Sequence, residues 1–508
     1  MTRRIKERII FKGALVARAP VHVGGGFDDP ETDMPLAVNG KGEYYIPGTS
    51  IAGVLRQWFA RTFGKKAMEE IFGYTATEND EGFASFILVE DAVLQDEGIT
   101  PEVRDGVGIN RYTGAAARGI KYDRQILPRG SRFSFELTLE VPDGLKDADT
   151  SDDWANSVAQ TVRALMDGQM RLGAAKSRGL GRMKLEDVKV RREELLTSSG
   201  ILSVLKRQSA GKYFNEEFNN ITAQSEKDIL RIMIKWKPVG PLMVKAEAEG
   251  LAVDMLPLFT RDDSGRMARV IPGSSIKGVL RATAERIMAT LLDDHDMPQD
   301  DFLQQVERDA LVTALFGARG KRKGQQAREE GDWKEGLSAL FADDCHCTDD
   351  ALEREQWQKL FTGDDAAFNN LPEHWQRAMH VAIDRFTGGA AERFLYSRLE
   401  PFDGAWEPIQ LEIDLKRLPA SQKNAALALL LLVLREMAQE RVPLGYATHR
   451  GMGSIEVEEI TFSGAEEPPV RKLAPADFGK KECMSEFGEW ERAWQEYLQA
   501  ARRNEQAA

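Results

Sequence analysis

The spacing of apolar positions changes several times along the chain, and each change marks an element. In "RIIFKGALVARAPVHV" (8–23) apolar and polar residues alternate like a half-buried strand, and "LRIMIKWKPVGPLMV" (230–244) does the same. After "YYI" (44–46) the period lengthens: Ile51, Val54, Leu55, Trp58 and Phe59 fall at i, i+3, i+4, i+7 and i+8. That predicts an amphipathic helix over 51–63, entered through Pro47-Gly48, with Thr49 and Ser50 as candidate caps. "FASFILVEDAVL" (83–94) and "SRFSFELTLEV" (131–141) read as strands, "WANSVAQTVRALMDGQM" (154–170) as a second helix, and "GRMKLEDVKV" (181–190) as a closing strand. Strand, helix, strand, strand, helix, strand is the split βαβ order of a ferredoxin-like, α+β domain. RRM-like RNA-binding modules share this framework, but their aromatic signature is absent here, so their stacking mode is not implied.

The same pattern then returns. "IPGTSIAGVLR" (46–56) and "IPGSSIKGVLR" (271–281) agree at nine of eleven positions. "INRYTGAAAR" (109–118) matches "IDRFTGGAAE" (383–392), and "LGAAKSRGLGRMKLEDV" (172–188) matches "LGYATHRGMGSIEVEEI" (444–460), in the same order. Shorter echoes lie between, "EEIFG" (69–73) with "TALFG" (313–317). The second half carries extra residues at 317–336 and 353–376. Two homologous domains in tandem follow, over 1–205 and 229–465. A polar linker over 206–228 joins them, and a Pro-rich connector and charged helix over 466–508 belong to neither repeat.

Composition narrows the class. The 508 residues are 42% hydrophobic and 29% charged, as in an ordinary globular protein. The longest apolar run, "AALALLLLVL" (425–434), is flanked by Lys423 and Arg435 and reads as a buried helix, not a membrane span. Three cysteines exclude a disulfide framework and favour a reducing, cytoplasmic setting; no secretory signal is expected. In "DDCHC" (343–347) Cys345 and Cys347 read as ordinary strand-end thiols in preference to a zinc site, which needs four compact ligands. The net charge of −13 disfavours indiscriminate nucleic-acid binding. Basic residues nonetheless cluster at 108–132 and at 170–184, where a local groove could hold phosphates.

Those clusters hold the candidate chemistry. In "KSRGLGR" (176–182) Gly179 and Gly181 let backbone N–H groups approach an anion, and Lys176, Arg178 and Arg182 supply charge. A tight turn before an edge strand explains the glycines equally well. The second copy keeps Arg450, Gly451 and Gly453. Ser50, Arg56, Ser275, Lys277 and Arg281 stand at the starts of the two IPG helices, where unpaired N–H groups attract anions or where the side chains simply cap and coat the helix.

Together, "IPGSSIKGVLR", "IDRFTGGA" and the G-x-x-x-S-R-G-x-G-R turn resemble the RAMP superfamily of CRISPR proteins, above all the backbone subunits of type III effector complexes. The resemblance spans roughly 8–190 and 229–462. It implies two RAMP units that bind guide RNA, with target RNA and other subunits of the complex as partners and no membrane. It further implies that 99–130 and its copy form thumb-like hairpins wedging into the guide–target duplex, with Arg111, Tyr112, Arg385 and Phe386 gripping at the break. It places one catalytic aspartate per unit in the loop after the first strand: Asp33 in "ETDMPLAV" and Asp254 in "AVDMLPLF". There the RNA 2′-OH attacks the adjacent phosphorus, and each carboxylate accepts the proton or holds a divalent metal ion, Mg or Mn. Asp28, Asp29 and Glu31 crowd the first loop. Two other functions share these residues: a non-catalytic RNA-binding scaffold, and a free-standing guide-processing ribonuclease, which would need a histidine-centred site near a first helix that has none.

Overall fold

A computed structural model describes the chain except residues 1–2, 27–28, 31, 76–81, 97, 144–147, 206–217, 225–226, 247–249, 251–252, 294–297, 300, 320–328, 331–332, 335, 350, 364–370, 403, 466–467, 469–470 and 508. It forms two compact units. The first is Met1–Arg104, Asp123–Lys176 and Leu180–Ser225; the second is Glu226–Ala508 with Asp105–Tyr122 and Ser177–Gly179.

In chain order the first repeat supplies β1 (Ile5–Ala17), α1 (Gly48–Phe63), β2 (Ile87–Val89), the hairpin β3 (Glu102–Gly106) and β4 (Tyr122–Ile126), β5 (Arg132–Pro142), α2 (Ala148–Met166) and β6 (Arg182–Glu194). The sheet runs β6-β1-β5-β2, all neighbours antiparallel, with Met170–Arg171 on the outer edge of β6. This is the ferredoxin-like order expected from the sequence. Every second residue of β5, from Phe133 to Val141, is buried, and Ile51, Leu55 and Phe59 of α1 share that core.

The second repeat supplies β7 (Ile229–Pro238), α3 (Gly273–Leu292), the short α4 (Phe302–Glu307), β8 (Leu340–Ala342), the hairpin β9 (Trp375–Ile383) and β10 (Ala390–Pro401), β11 (Ile409–Asp414), α5 (Lys423–Ala438), β12 (Ile455–Gly464) and finally α6 (Gly488–Ala507). Its sheet, β12-β7-β11-β8, repeats the first, with Lys472–Leu473 beside β12. The run 425–434 lies inside α5 with Leu427, Leu429 and Leu434 buried, and no described helix is long and apolar enough to cross a membrane.

Two segments are anchored by aromatic packing. In the C-terminal helix, Trp490, Trp494 and Leu498 of α6, spaced four apart, are buried in the same core as α5. In the linker, much of which lies outside the described residues, Phe218 is buried against Phe11 with ring centroids 5.7 Å apart.

The helix starts differ from expectation. Thr49 and Ser50 do not cap α1; the N-cap position is Pro47, and Pro272 in α3, without a side-chain bond. The first free N–H is satisfied from a distant strand end. Gly48 N–H donates to Asp91 Oδ1 at 2.7 Å, and Gly273 N–H to Asp344 Oδ1 at 2.8 Å. Glycine is required for this abutment. A Cβ at Gly48 would lie 2.2 Å from Val89 O, and one at Gly273 2.1 Å from Ala342 O.

Candidate nucleic-acid interface

The loop after each first strand runs beside the base of its own hairpin. Gln125 N–H donates to Met34 O at 3.0 Å, and Leu399 N–H to Met255 O at 3.0 Å, so each Asp-Met pair lies alongside the hairpin's second strand. The aspartates close a reciprocal bracket there. In the first unit Asp33 N–H donates to Asp123 Oδ1 (2.7 Å) and Asp123 N–H to Asp33 Oδ2 (3.0 Å). In the second, Asp254 N–H donates to Ser397 Oγ (3.1 Å), while Ser397 N–H (2.6 Å) and its hydroxyl (2.9 Å) both donate to Asp254 Oδ2. Both aspartates are exposed, in corresponding places. The Ser397 N–H, then its hydroxyl, hold the Asp254 carboxyl below the ordinary range, and the Arg377 charge adds to this. Asp28 and Glu31 lie outside the described residues.

The glycine-rich turns carry the matching cations. Arg178 Nη1 donates to Tyr122 OH at 2.8 Å, and Arg450 Nη1 to Tyr396 OH at 2.8 Å; both arginines are exposed. Along the chain these tyrosines immediately precede Asp123 and Ser397. Lys176 and Arg182 are half-buried. Gly181 and Gly453 serve packing: a Cβ would meet Leu172 O at 2.0 Å and Leu444 O at 2.1 Å. For these two glycines the tight-turn reading suffices. Gly451, at φ 81°, borders open space, whereas a Cβ on Gly179 would lie 2.3 Å from Asp344 Oδ1.

The second repeat elaborates this arginine's surroundings. Arg450 Nη2 also donates to Tyr446 OH (3.0 Å), and Tyr446 OH lies 3.4 Å from Met255 Sδ, next to Asp254. The His380 ring stacks on Tyr396 at 5.3 Å, with its Nε2 3.0 Å from Glu400 Oε1. The first repeat has Ala174 in place of Tyr446 and Gly106 in place of His380. A Cβ at Gly106 would sit 2.1 Å from the Tyr122 ring.

Several expected RNA contacts are structural instead. Lys277 is buried, its ammonium donating to Ser338 Oγ (2.6 Å) and Leu340 O (3.0 Å). Burial, then the charges of Arg178, Arg281 and Arg417, hold its pKa well below the ordinary lysine value. Arg56 Nη2 donates to Gly73 O (3.1 Å) and Arg281 Nη1 to Gly317 O (2.9 Å), the carbonyls at the ends of the helices Lys65–Phe72 and Ala310–Phe316. A cation at a helix C-terminus is a stabilising cap, so the conserved sequence "VLR" of the two copies is explained within the fold. Arg111 pairs with Glu285 of α3, and its N–H donates to Gln305 Oε1 at 2.8 Å. Ser50 and Ser275 are half-buried; Tyr112, Arg385 and Phe386 are exposed.

Cys345 donates to Glu407 O at 3.0 Å, burial pushing its thiol well up, and Cys347 to Asp349 Oδ1 at 3.2 Å. Among the described residues no group of three or more His, Cys, Asp or Glu is placed to hold a metal. His22 straps the first loop to the hairpin, its Nδ1 2.7 Å from Gln125 O, and burial lowers its pKa. Sequence reasoning missed Asp123, Ser397, Tyr122, Tyr396 and Tyr446. Continuing the hairpin match through "KYDRQ" (121–125) and "LYSRL" (395–399) would have exposed the first four.

A model of the RAMP superfamily matches residues 15–184 and 256–456, most of both repeats. The chain belongs to that superfamily. It is 27% identical over 234 residues to the "CRISPR system Cms endoribonuclease Csm3" of Methanothermobacter thermautotrophicus, a match covering 37% of this chain and 87% of that protein. The protein of the same name from Methanocaldococcus jannaschii is 25% identical over 210 residues, covering 37% of this chain and 82% of its own length. Each relative therefore corresponds to about one repeat.

Proposed function

We propose that the chain is a guide-RNA-binding backbone subunit of a cytoplasmic type III CRISPR complex that cuts guide-paired target RNA at two spaced sites, Asp33 and Asp254. The observation that carries this is the duplicated bracket: in both repeats an exposed carboxylate is pinned to a hairpin base by reciprocal hydrogen bonds. One residue along the chain, a tyrosine holds the arginine of the glycine-rich turn. A relative named as an endoribonuclease of a CRISPR system supports the class of reaction.

The hairpin arms carry exposed apolar side chains, Val103, Val107 and Ile109 in the first, Met379, Val381 and Ile383 in the second. Inserted between base pairs, such side chains unstack a step and free the sugar to rotate. The 2′-OH can then line up with the phosphorus and the departing 5′-oxygen, which is the largest share of what this chemistry needs. The carboxylate of Asp33 or Asp254 takes the 2′-OH proton as the O–P bond forms. In the second unit Arg450 offsets charge growing on the phosphoryl oxygens. The 5′-oxygen leaves with a proton from water, giving a 2′,3′-cyclic phosphate and a 5′-OH.

The donors also fit a divalent ion. Asp33 Oδ1 and Asp123 Oδ2 lie outside the first bracket, as Asp254 Oδ1 does outside the second. Mg is commonly held by one or two carboxylates with water and substrate phosphate. Bound there, it would neutralise phosphoryl charge.

The test is a complex reconstituted with guide and end-labelled target. Wild type gives two cuts; the double variant Asp33→Ala/Asp254→Ala binds target equally and gives none. Undiminished cutting by the double variant establishes the scaffold reading, and cutting of guide precursor by the isolated chain establishes the processing ribonuclease.

A further inference from the structure

The two repeats differ at a buried position that the fold does not explain. On β10, Tyr396, Arg398 and Glu400 alternate onto one face, and Glu400 is 6% exposed. Its Oε1 accepts from Arg398 Nε (2.7 Å), from Arg398 Nη2 and from His380 Nε2 of β9 (3.0 Å). The first repeat buries Arg124 where the second buries Arg398, but it has Ile126 in place of Glu400 and Gly106 in place of His380. An arginine is thus buried at this point with or without the acid. A carboxylate where isoleucine suffices costs desolvation that its hydrogen bonds at best offset. What the exchange adds is a seat for His380.

We propose that His380 is a positioning residue for the second cut: seated on Glu400, it wedges the Tyr396 ring so that Tyr396 and Tyr446 hold Arg450 ready for the phosphoryl group at Asp254. The inference rests on the reading of Asp254 as the second site. A carboxylate only accepts, so His380 Nε2 carries a proton, and its bond to Glu400 fixes that edge of the ring. The face of the ring lies on Tyr396, with centroids 5.3 Å and planes 23° apart. Tyr396 OH accepts from Arg450 Nη1 (2.8 Å), and Tyr446 OH accepts from Arg450 Nη2 (3.0 Å). One series of contacts therefore runs from a buried ion pair, through a ring stack, to an exposed guanidinium.

The wedge answers a difference between the hairpins. In the first repeat no side chain fits under Tyr122: a Cβ on Gly106 would lie 2.1 Å from its ring, so the ring packs on the backbone itself. In the second, β9 carries His380 directly opposite Tyr396, and the imidazole replaces that backbone contact. The need is the same in both repeats, since an arginine free to move loses rotamer entropy when it meets a phosphate. A cation fixed beforehand stabilises the transition state without reorganising. His380 acts through Arg450, not on the RNA.

The test is single-turnover cleavage of end-labelled target by the reconstituted complex at saturating concentration. Arg450→Ala slows the second cut about 100-fold. His380→Ala slows it about tenfold, with target affinity and the first cut unchanged. Added to Arg450→Ala, His380→Ala slows the second cut no further, because it acts only through that arginine. His380→Phe keeps a stacked ring without the bond to Glu400 and falls between wild type and His380→Ala. Should His380→Ala weaken target binding, the rate of His380→Phe decides. A second cut at the wild-type rate in either His380 variant, or in Arg450→Ala, overturns the proposal. So does a further tenfold loss on the Arg450→Ala background, the mark of a merely structural brace. Asp254→Ala in the same assay separates this inference from the reading beneath it. A second cut that survives Asp254→Ala strikes that reading, whereas one abolished by Asp254→Ala and untouched by His380→Ala strikes this inference alone.

Discussion

The two brackets hold their aspartates by the same backbone geometry but with different chemistry. Asp33 faces a second carboxylate, Asp123, and each accepts one amide proton. Asp254 faces a hydroxyl, and Ser397 donates two hydrogen bonds to it, from its N–H and its hydroxyl, which favours the ionised form. In the glycine-rich turns, Arg178 is held by one tyrosine and Arg450 by two, with a histidine stacked on Tyr396. The lesson is that duplication preserved the position of the carboxylate and let its support diverge. The first site offers more oxygen donors; the second offers a better-fixed cation.

The comparison can be broken at several strengths. The largest effect lies outside the shared architecture. Trp494→Ala, in a helix of the second unit without a counterpart among the described residues of the first, should cost about 3–5 kcal/mol, and chemical denaturation should show the second unit unfolding first. Equal loss in both units would mean that α6 is no part of the second core.

Next are the glycines at the helix starts, where the two repeats should agree. Gly48→Ala and Gly273→Ala each drive a methyl into a backbone carbonyl, so each should destabilise its unit by about 1–3 kcal/mol. A neutral result at one position only would show that the two abutments are not equivalent.

The third effect separates the sites kinetically. Tyr446→Phe frees one N–H of Arg450 and should slow the second cut about fivefold to tenfold in single turnover, with target affinity and the first cut unchanged. Slowing of both cuts would assign Tyr446 to general RNA binding.

The smallest effect is one of pH. Asp254 is held below its ordinary value of 3.8, so the second cut should persist as pH falls through that value and be lost only below it. The native bracket's stabilisation has the same sign: present above the unfolded pKa, lost as pH falls through the lower folded one. Ser397→Ala removes the hydroxyl bond and keeps the amide bond, so the acid limb of the second cut should move upward. An unmoved limb would mean that Asp254 does not titrate in catalysis.

Much of this fold was legible because it is local and written twice. Period-two strands, the α1 stripe Ile51, Leu55, Phe59 and the order of the repeats fix a ferredoxin-like sheet in each half. What the sequence hid is long-range. Asp91 and Asp344 satisfy helix starts more than forty residues away in the first case and seventy in the second, so Thr49 and Ser50 looked like the caps. Arg56 and Arg281 looked like phosphate ligands because each donates to a distant backbone carbonyl, which carries no residue signature; only the Arg281–Glu285 pair, four residues apart, was there to be read. Lys277 looked exposed because lysine usually is; its burial depends on Ser338 and Leu340, which reach it only in the fold. The sequence marked a charged helix bearing Trp490, Trp494 and Tyr497 without saying which surface would receive it.

The central claim is that Asp33 and Asp254 each govern one cut. The direct measurement is mapping of target products from complexes carrying Asp33→Ala or Asp254→Ala alone. The account predicts that each variant loses a different single cut by more than about 100-fold and leaves the other, whose fragments end in a 2′,3′-cyclic phosphate and a 5′-OH. Two cuts surviving in both variants, or both cuts lost in either one with target binding intact, would contradict it.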